Sequence, residues 1–144
     1  MKVVDANLLI YAVNSDSIHH IPAKRWLEEA MSSEEPVGLA WLVLLAFIRI
    51  TTSDRVMAAP LAPDTAVEVV DRWLALPTTR TLSPLPEHWD ILKELLRPLG
   101  TAGNHTSDAH LAALAIEHGA ELCSADTDFA RFPRLRWSNP LHAI

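Results

Sequence analysis

The sequence predicts an α/β fold, a three-layer α/β/α sandwich with a mostly parallel central sheet, from three observations. Short β-branched or apolar runs (Lys2-Val3-Val4, Val37-Gly38-Leu39, Thr79 to Leu82, Glu121 to Ser124) alternate with longer segments whose apolar residues recur at helical spacing. Pro and Gly separate the two kinds of run. A hydrophobic content of 49% over 144 residues is enough to fill one core, so a single domain spanning residues 1–144 is expected.

Taken in order, Asn7 followed by Leu8, Leu9, Ile10 and Tyr11 opens the first helix behind the Lys2-Val3-Val4 strand. Polar Asn14 to Ser17 turns the chain into a second helix, His19 to Met31, with Ile21, Trp26, Leu27 and Ala30 inward and Glu28 and Glu29 outward. The run Trp41 to Ile50 is too long for most strands and reads as a buried helix ending near Thr51-Thr52-Ser53. After the loop from Asp54 to Pro63, Asp64-Thr65 caps a helix with Val67, Val70, Trp73 and Leu74 at helical spacing, closed by Pro77. Pro84 and Pro86 precede a helix from Glu87 to Leu96 with Trp89, Leu92, Leu95 and Leu96 on one side. The stretch Gly103 to Thr106 reads as a turn into a helix from Ser107 to His118, with Gly119 just beyond its end. Asp126-Thr127-Asp128 opens a brief helix through Phe132, and Leu135-Arg136-Trp137 is a last edge strand. Right-handed crossovers then bring the strand ends that carry Asp5 and Asp126 to one edge of the sheet.

Composition narrows the setting. A single cysteine, Cys123, leaves no disulfide framework or Cys-based zinc cluster and suits a reducing cytoplasm. No apolar run reaches the roughly 20 residues a membrane helix needs. The net charge of −6 disfavours binding nucleic acid over the whole surface, so any such contact is local. Arg131, Arg134 and Arg136, or Arg49 and Arg55, are the basic groups that could form a patch. The five tryptophans fall mostly on or beside apolar stripes, which favours core or oligomer packing over base stacking.

The chemistry lies in the acids. Asp5 ends a strand at the sheet edge where ligands of open α/β sheets bind. Asp108, in the first turn of its helix, shares a face with Leu111, Ala112 and Ala115. Asp126 and Asp128 bracket a strand-to-helix turn. Singly, each is explained by capping or Asx-turn geometry. Jointly they persist only with raised pKa values or a cation, because two carboxylates at about 4 Å repel by about 4 kcal/mol at an effective dielectric of about 20, and a bound divalent cation is the simpler answer. Oxygen-only ligands suit Mg²⁺ or Mn²⁺, which leaves positions for a phosphate and an attacking water, as in metal-assisted phosphodiester hydrolysis.

Three stretches, Val3 to Tyr11, Thr106 to Ala115 and Ser124 to Pro133, resemble in order and spacing the signatures of PIN-domain ribonucleases, specifically VapC-type toxins. The resemblance implies a Mg²⁺-dependent endoribonuclease, the toxin of a type II toxin–antitoxin pair, usually homodimeric and held inactive by a cognate antitoxin. Asp5 and Asp108 match the principal metal ligands, Asp126 matches the further acid at the fourth strand, and Asp128 lies beside it. One departure is Ala46, in Leu45-Ala46-Phe47-Ile48-Arg49, where many of these nucleases carry Glu. It opens a second reading, a catalytically weak or inactive PIN-like module that binds RNA or a partner. Two other chemistries fare worse. A zinc site of His105, Asp108 and His110 needs His110, which a helix turns roughly 200° from Asp108. A phosphatase loop at Asp5-Ala6-Asn7 lacks the second acid, since Asn7 cannot act as a general acid; Asn7 instead caps the first helix or orients Asp5.

Overall fold

The computed structural model describes residues 1–142; Ala143 and Ile144, the end of the predicted domain, lie outside the described residues. Strands β1 (Lys2–Val4), β2 (Val37–Ala40), β3 (Thr79–Leu82), β4 (Glu121–Cys123) and β5 (Trp137–Ser138) form one sheet in the order β3-β2-β1-β4-β5. Every pairing is parallel, with Lys2 opposite Val37 and Glu121, and Val37 opposite Thr79. The carboxyl ends of β1 and β4 therefore lie side by side. Val3, Val4, Leu39 and Leu122 are fully buried, as strands covered on both faces require.

Helices α1 (Ala6–Val13), α2 (His20–Ser32), α3 (Trp41–Thr51) and α4 (Pro63–Ala75) form one packed group, in which α1 contacts α2 and α3, and α3 contacts α4; α5 (His88–Leu96) packs on α6 (His105–Glu117). With the sheet these make the three-layer α/β/α sandwich. Within α6, Ala109 and Leu111 to Ala115 are all buried, so the helix lies inside the protein on nearly all sides. Its end is a Schellman motif. Gly119 takes φ +63° while its N–H donates to the Ile116 carbonyl at 3.0 Å and the Ala120 N–H donates to the Ala115 carbonyl at 2.8 Å. This turn feeds directly into β4.

Several expectations from periodicity are corrected. Ile21 and Trp89, predicted inward, are 67% and 64% exposed, and Val67 is also exposed. Helix α3 is only half covered: Val43, Leu44 and Phe47 are buried, while Trp41, Leu42 and Leu45 face outward. A run apolar all round gave no face to choose. Helix α4 begins one residue before its predicted cap, with Pro63 at its first position and Ala62 as the N-cap, because a proline at that position loses no helical hydrogen bond. Helix α6 begins at His105 rather than Ser107, and the last strand pairs through Trp137 and Ser138.

Candidate functional site

Asp5 stands where β1 hands over to α1. Its N–H donates to the Cys123 carbonyl at 3.0 Å, extending the β1–β4 ladder by one bond, and its side chain then turns to cap the helix. Oδ1 accepts from the Ala6 N–H at 2.7 Å, while Oδ2 accepts from the Ser124 hydroxyl at 2.7 Å and the Asn7 amide at 3.3 Å. The cap of the first helix is thus Asp5 and not Asn7; Asn7 hydrogen-bonds Asp5 and also ties down the end of β4, where its Nδ2 donates to Ser124 Oγ at 3.1 Å and its Oδ1 accepts from the Ala125 N–H at 3.2 Å. Ser124, fully buried, was not legible as a site residue. The available signal was a Ser two residues before an Asp at a strand end, a spacing that lets its oxygen accept the Asp126 N–H, here at 3.0 Å.

Beyond β4 the chain enters a 3-10 helix, Thr127–Arg131, capped by Asp126, whose Oδ1 accepts the Asp128 N–H at 2.8 Å. Asp128 is thereby turned toward α6. His105, at the start of α6, places Nδ1 3.4 Å from Asp108 Oδ2 and 3.9 Å from Asp128 Oδ2. One donor atom from each of His105, Asp108 and Asp128 lies within 4.8 Å of the others. The zinc set weighed from the sequence, His105, Asp108 and His110, is altered: His105 and Asp108 do come together, with Asp128 in place of His110. Begun at His105, the helix sets residues 105 and 108 at i and i+3 on one face.

Asp5 and Asp108 meet in a cleft of about 150 Å³ lined also by Ala6, Leu42, Ala46, Arg49 and Ser107. Ala46 faces the cleft with only its methyl group. Burial pushes the Asp5 carboxyl above its ordinary range; the Ser124 and Ala6 hydrogen bonds oppose this, and the nearby Asp108 and Asp126 charges add to it. Asp108 is raised by burial as well, opposed by its His105 hydrogen bond and reinforced by Asp126 and Asp128. The four predicted acids thus act on one another electrostatically at one sheet edge. Their oxygen donors, with a net surplus of negative charge, fit a hard divalent cation. Asp5 and Asp108 could bind it directly, with Asp126 and Asp128 beside them.

Other candidates fall elsewhere. His110 turns away from Asp108 and sits 3.0 Å from His88, which in turn bonds Glu117 at 2.8 Å. The three arginines near the C-terminus do not form a free basic stripe. Arg131 bonds Asp128, Arg134 bonds Glu94, and Arg136 donates to the Gly119 carbonyl.

Residues 2–135 match the family model of the PIN domain. The chain belongs to the PIN-domain family. Within it the curated relatives are VapC proteins. The chain is 48% identical to "Ribonuclease VapC37" of Mycobacterium tuberculosis over 140 residues, 97% of either chain, and 44% identical over 141 residues to "Ribonuclease VapC33" of the same organism, covering 98% of this chain and 99% of the relative. Solved structures share the fold at lower identity. The "VapBC2" structure from Rickettsia felis, described as bound to a promoter DNA fragment, superposes with a TM-score of 0.68 at 18% identity, over 96% of this chain and 97% of that one. VapC20 of M. tuberculosis, described as a "Sarcin-Ricin loop cleaving toxin", gives a TM-score of 0.66 at 18% identity over 94% of this chain and 99% of that one. These structures share the overall fold, whose parallel sheet in this chain sets the carboxyl ends of β1 and β4 side by side.

Proposed function

We propose that this chain is a Mg²⁺-dependent endoribonuclease, with Mn²⁺ a possible substitute, acting as the toxin of a type II toxin–antitoxin pair in the cytoplasm. One observation carries the catalytic part: Asp5 and Asp108 line one cleft, where burial and the neighbouring acids raise both pKa values. Such an arrangement is stable with charged carboxylates only when a cation shares it. The relatives' names as VapC ribonucleases support the choice of RNA as substrate and of an antitoxin as partner. No helix among the described residues is long and apolar enough to cross a membrane. A homodimer is part of the same reading, and the exposed Trp41 and Leu45 of α3 offer apolar surface for one.

In this reading Asp5 and Asp108 hold the cation, and Asp126 and Asp128 complete the acidic pocket directly or through water. When bound, the cation polarises a phosphoryl oxygen and lowers the pKa of water, the two requirements for hydrolysing a phosphodiester. The chain's own part is preorganisation. Ser124, Asn7 and the Ala6 N–H fix the Asp5 carboxylate in one orientation, and the Asp126 cap sets the position of Asp128. His105 lies between Asp108 and Asp128, and its hydrogen bond to Asp108 opposes the rise that burial gives that carboxyl.

The cleft also motivates a second reading. Ala46 brings no carboxylate to it, as a weak or inactive PIN-like module binding RNA or a partner would have it. Incubating the purified chain with structured RNAs in Mg²⁺ or Mn²⁺, beside Asp5→Asn and Asp108→Asn, separates the two. Metal-dependent cutting lost in both variants is the expected result. RNA binding without cutting by the unmodified chain would replace the enzyme with the module.

A further inference from the structure

Phosphodiester chemistry needs a group to hold the phosphate as well as acids to hold a cation, and the acids alone repel an anionic strand. The basic residues near the C-terminus are engaged by Asp128, Glu94 and the Gly119 carbonyl. Arg49 differs. It lines the same cleft as Asp5 and Asp108, its side chain is exposed, and among the described residues it makes no ion pair or side-chain hydrogen bond. Its place on α3 explains both facts. Leu42, Ala46 and Arg49 recur at i, i+4 and i+7, so they share the helix face turned to the cleft. Position 46 is the neighbour three residues before Arg49, where a carboxylate would capture the guanidinium at i, i+3. Alanine there leaves all of the guanidinium donors for a ligand.

We propose that Arg49 is the phosphate-holding residue of the cleft, its guanidinium forming a charge-assisted pair with a non-bridging oxygen of an RNA phosphodiester whose other side faces Asp5 and Asp108. The planar fork of Arg matches the phosphate oxygens, and a phosphate held in the cleft that Arg49 shares with Asp5 and Asp108 lies beside those acids. The competing explanation is local: Arg49 is the basic residue in the last turn of α3, where a cation complements the helix dipole. That role would affect stability and leave RNA affinity alone. The proposal rests on the ribonuclease reading for its choice of ligand.

The test measures binding of a fluorescein-labelled single-stranded RNA by anisotropy in EDTA, over a range of salt concentrations, for the unmodified chain, Arg49→Ala, Arg49→Lys, Ala46→Glu and Ala46→Gln. Arg49→Ala is expected to weaken binding by about tenfold, the size of one charge-assisted hydrogen bond, and to lower the salt slope by about 0.7, the contribution of one phosphate contact on a single strand. Arg49→Lys retains the slope and part of the affinity. Ala46→Glu weakens binding as Arg49→Ala does, whereas Ala46→Gln leaves it near the unmodified value. RNA cutting in Mg²⁺ is measured in parallel with Asp108→Asn as the control. Cutting by the unmodified chain together with unchanged affinity, slope and KM in a folded Arg49→Ala overturns the proposal while the enzyme reading stands. Arg49-dependent binding without any cutting upholds the proposal and overturns the enzyme reading. Absence of RNA binding by the unmodified chain overturns the proposal.

Discussion

The Ser124 hydroxyl donates to Asp5 Oδ2 at 2.7 Å, joining two residues 119 positions apart at the adjoining ends of β1 and β4. The same oxygen accepts from Asn7 Nδ2 at 3.1 Å and from the Asp126 N–H at 3.0 Å. One buried hydroxyl therefore holds three parts of the acidic edge in register. Ser124→Ala deletes the hydrogen bond that restrains the Asp5 pKa and strands two donors. The expected cost is about 2 kcal/mol of stability, read as a lower melting temperature. Cation affinity, measured by calorimetry, is expected to fall about tenfold or more, the usual size of a lost hydrogen bond behind a metal ligand. A variant that melts and binds like the parent would show that Ser124 merely fills space.

Asp108 gives a prediction about pH. Its carboxyl titrates above the ordinary range in the folded chain, first through burial. The folded protein then keeps a proton that the unfolded chain has released. The resulting stability is complete below the unfolded value, roughly pH 4, and is lost as pH rises through the raised folded value. In EDTA, Asp108→Asn is therefore expected to melt at a higher temperature than the parent at neutral pH, with a flatter pH dependence. Adding Mg²⁺ should reverse the order, because a cation that binds only the folded parent stabilises it. Thermal melts in EDTA and in Mg²⁺ across pH check both signs; a parent that outlasts the variant in EDTA contradicts the argument.

Much of this site is legible in the sequence because its anchors are local. Pro77 and Pro84 bracket β3 so closely that Thr79–Leu82 follows from punctuation alone. Asp5 and Asp126 end recognisable strands, and parallel order makes those ends neighbours. What escaped was set by tertiary contact. Trp89 and Ile21 continue apolar stripes, yet periodicity records only that a stripe exists, and no neighbouring element covers those positions. Gly103 to Thr106 has turn composition, so the two extra residues at the start of α6 had no sequence mark. Ser124 gains its role from Asn7, a partner 117 positions away.

His105 carries a prediction of its own. Its hydrogen bond to Asp108 lowers a carboxyl that burial raises. If Asp108 must be ionised to hold the cation, cutting rises with pH through that carboxyl's pKa. His105→Ala removes the restraint and is expected to move the acidic limb of the pH–rate profile to higher pH, with a smaller change on the plateau. A limb that stays in place would reduce His105 to a helix-start residue.

The last prediction concerns how α6 is held so that Asp108 reaches the cleft. The Glu117 side chain, fully buried, accepts from the Leu85 N–H at 3.2 Å and bonds His88 Nδ1 at 2.8 Å. His88 Nε2 lies 3.0 Å from His110 Nδ1, and burial, then the His88 charge, pushes the His110 pKa down. A neutral His110 can accept a hydrogen bond from His88 or donate one to it, so the chain from Glu117 to His110 is satisfied at every link and ties α5 to α6. Glu117→Leu keeps much of the volume but leaves the Leu85 N–H and His88 without a partner, at an expected cost of about 3 kcal/mol. Glu117→Gln, which still accepts from the Leu85 N–H, should cost about 1 kcal/mol. Thermal melts give both values, and amide exchange should quicken in α5 (His88–Leu96) first, since the lost contacts are those that dock it. Equal destabilisation by Leu and Gln would mean that the carboxylate charge, rather than its hydrogen bonds, holds the two helices together.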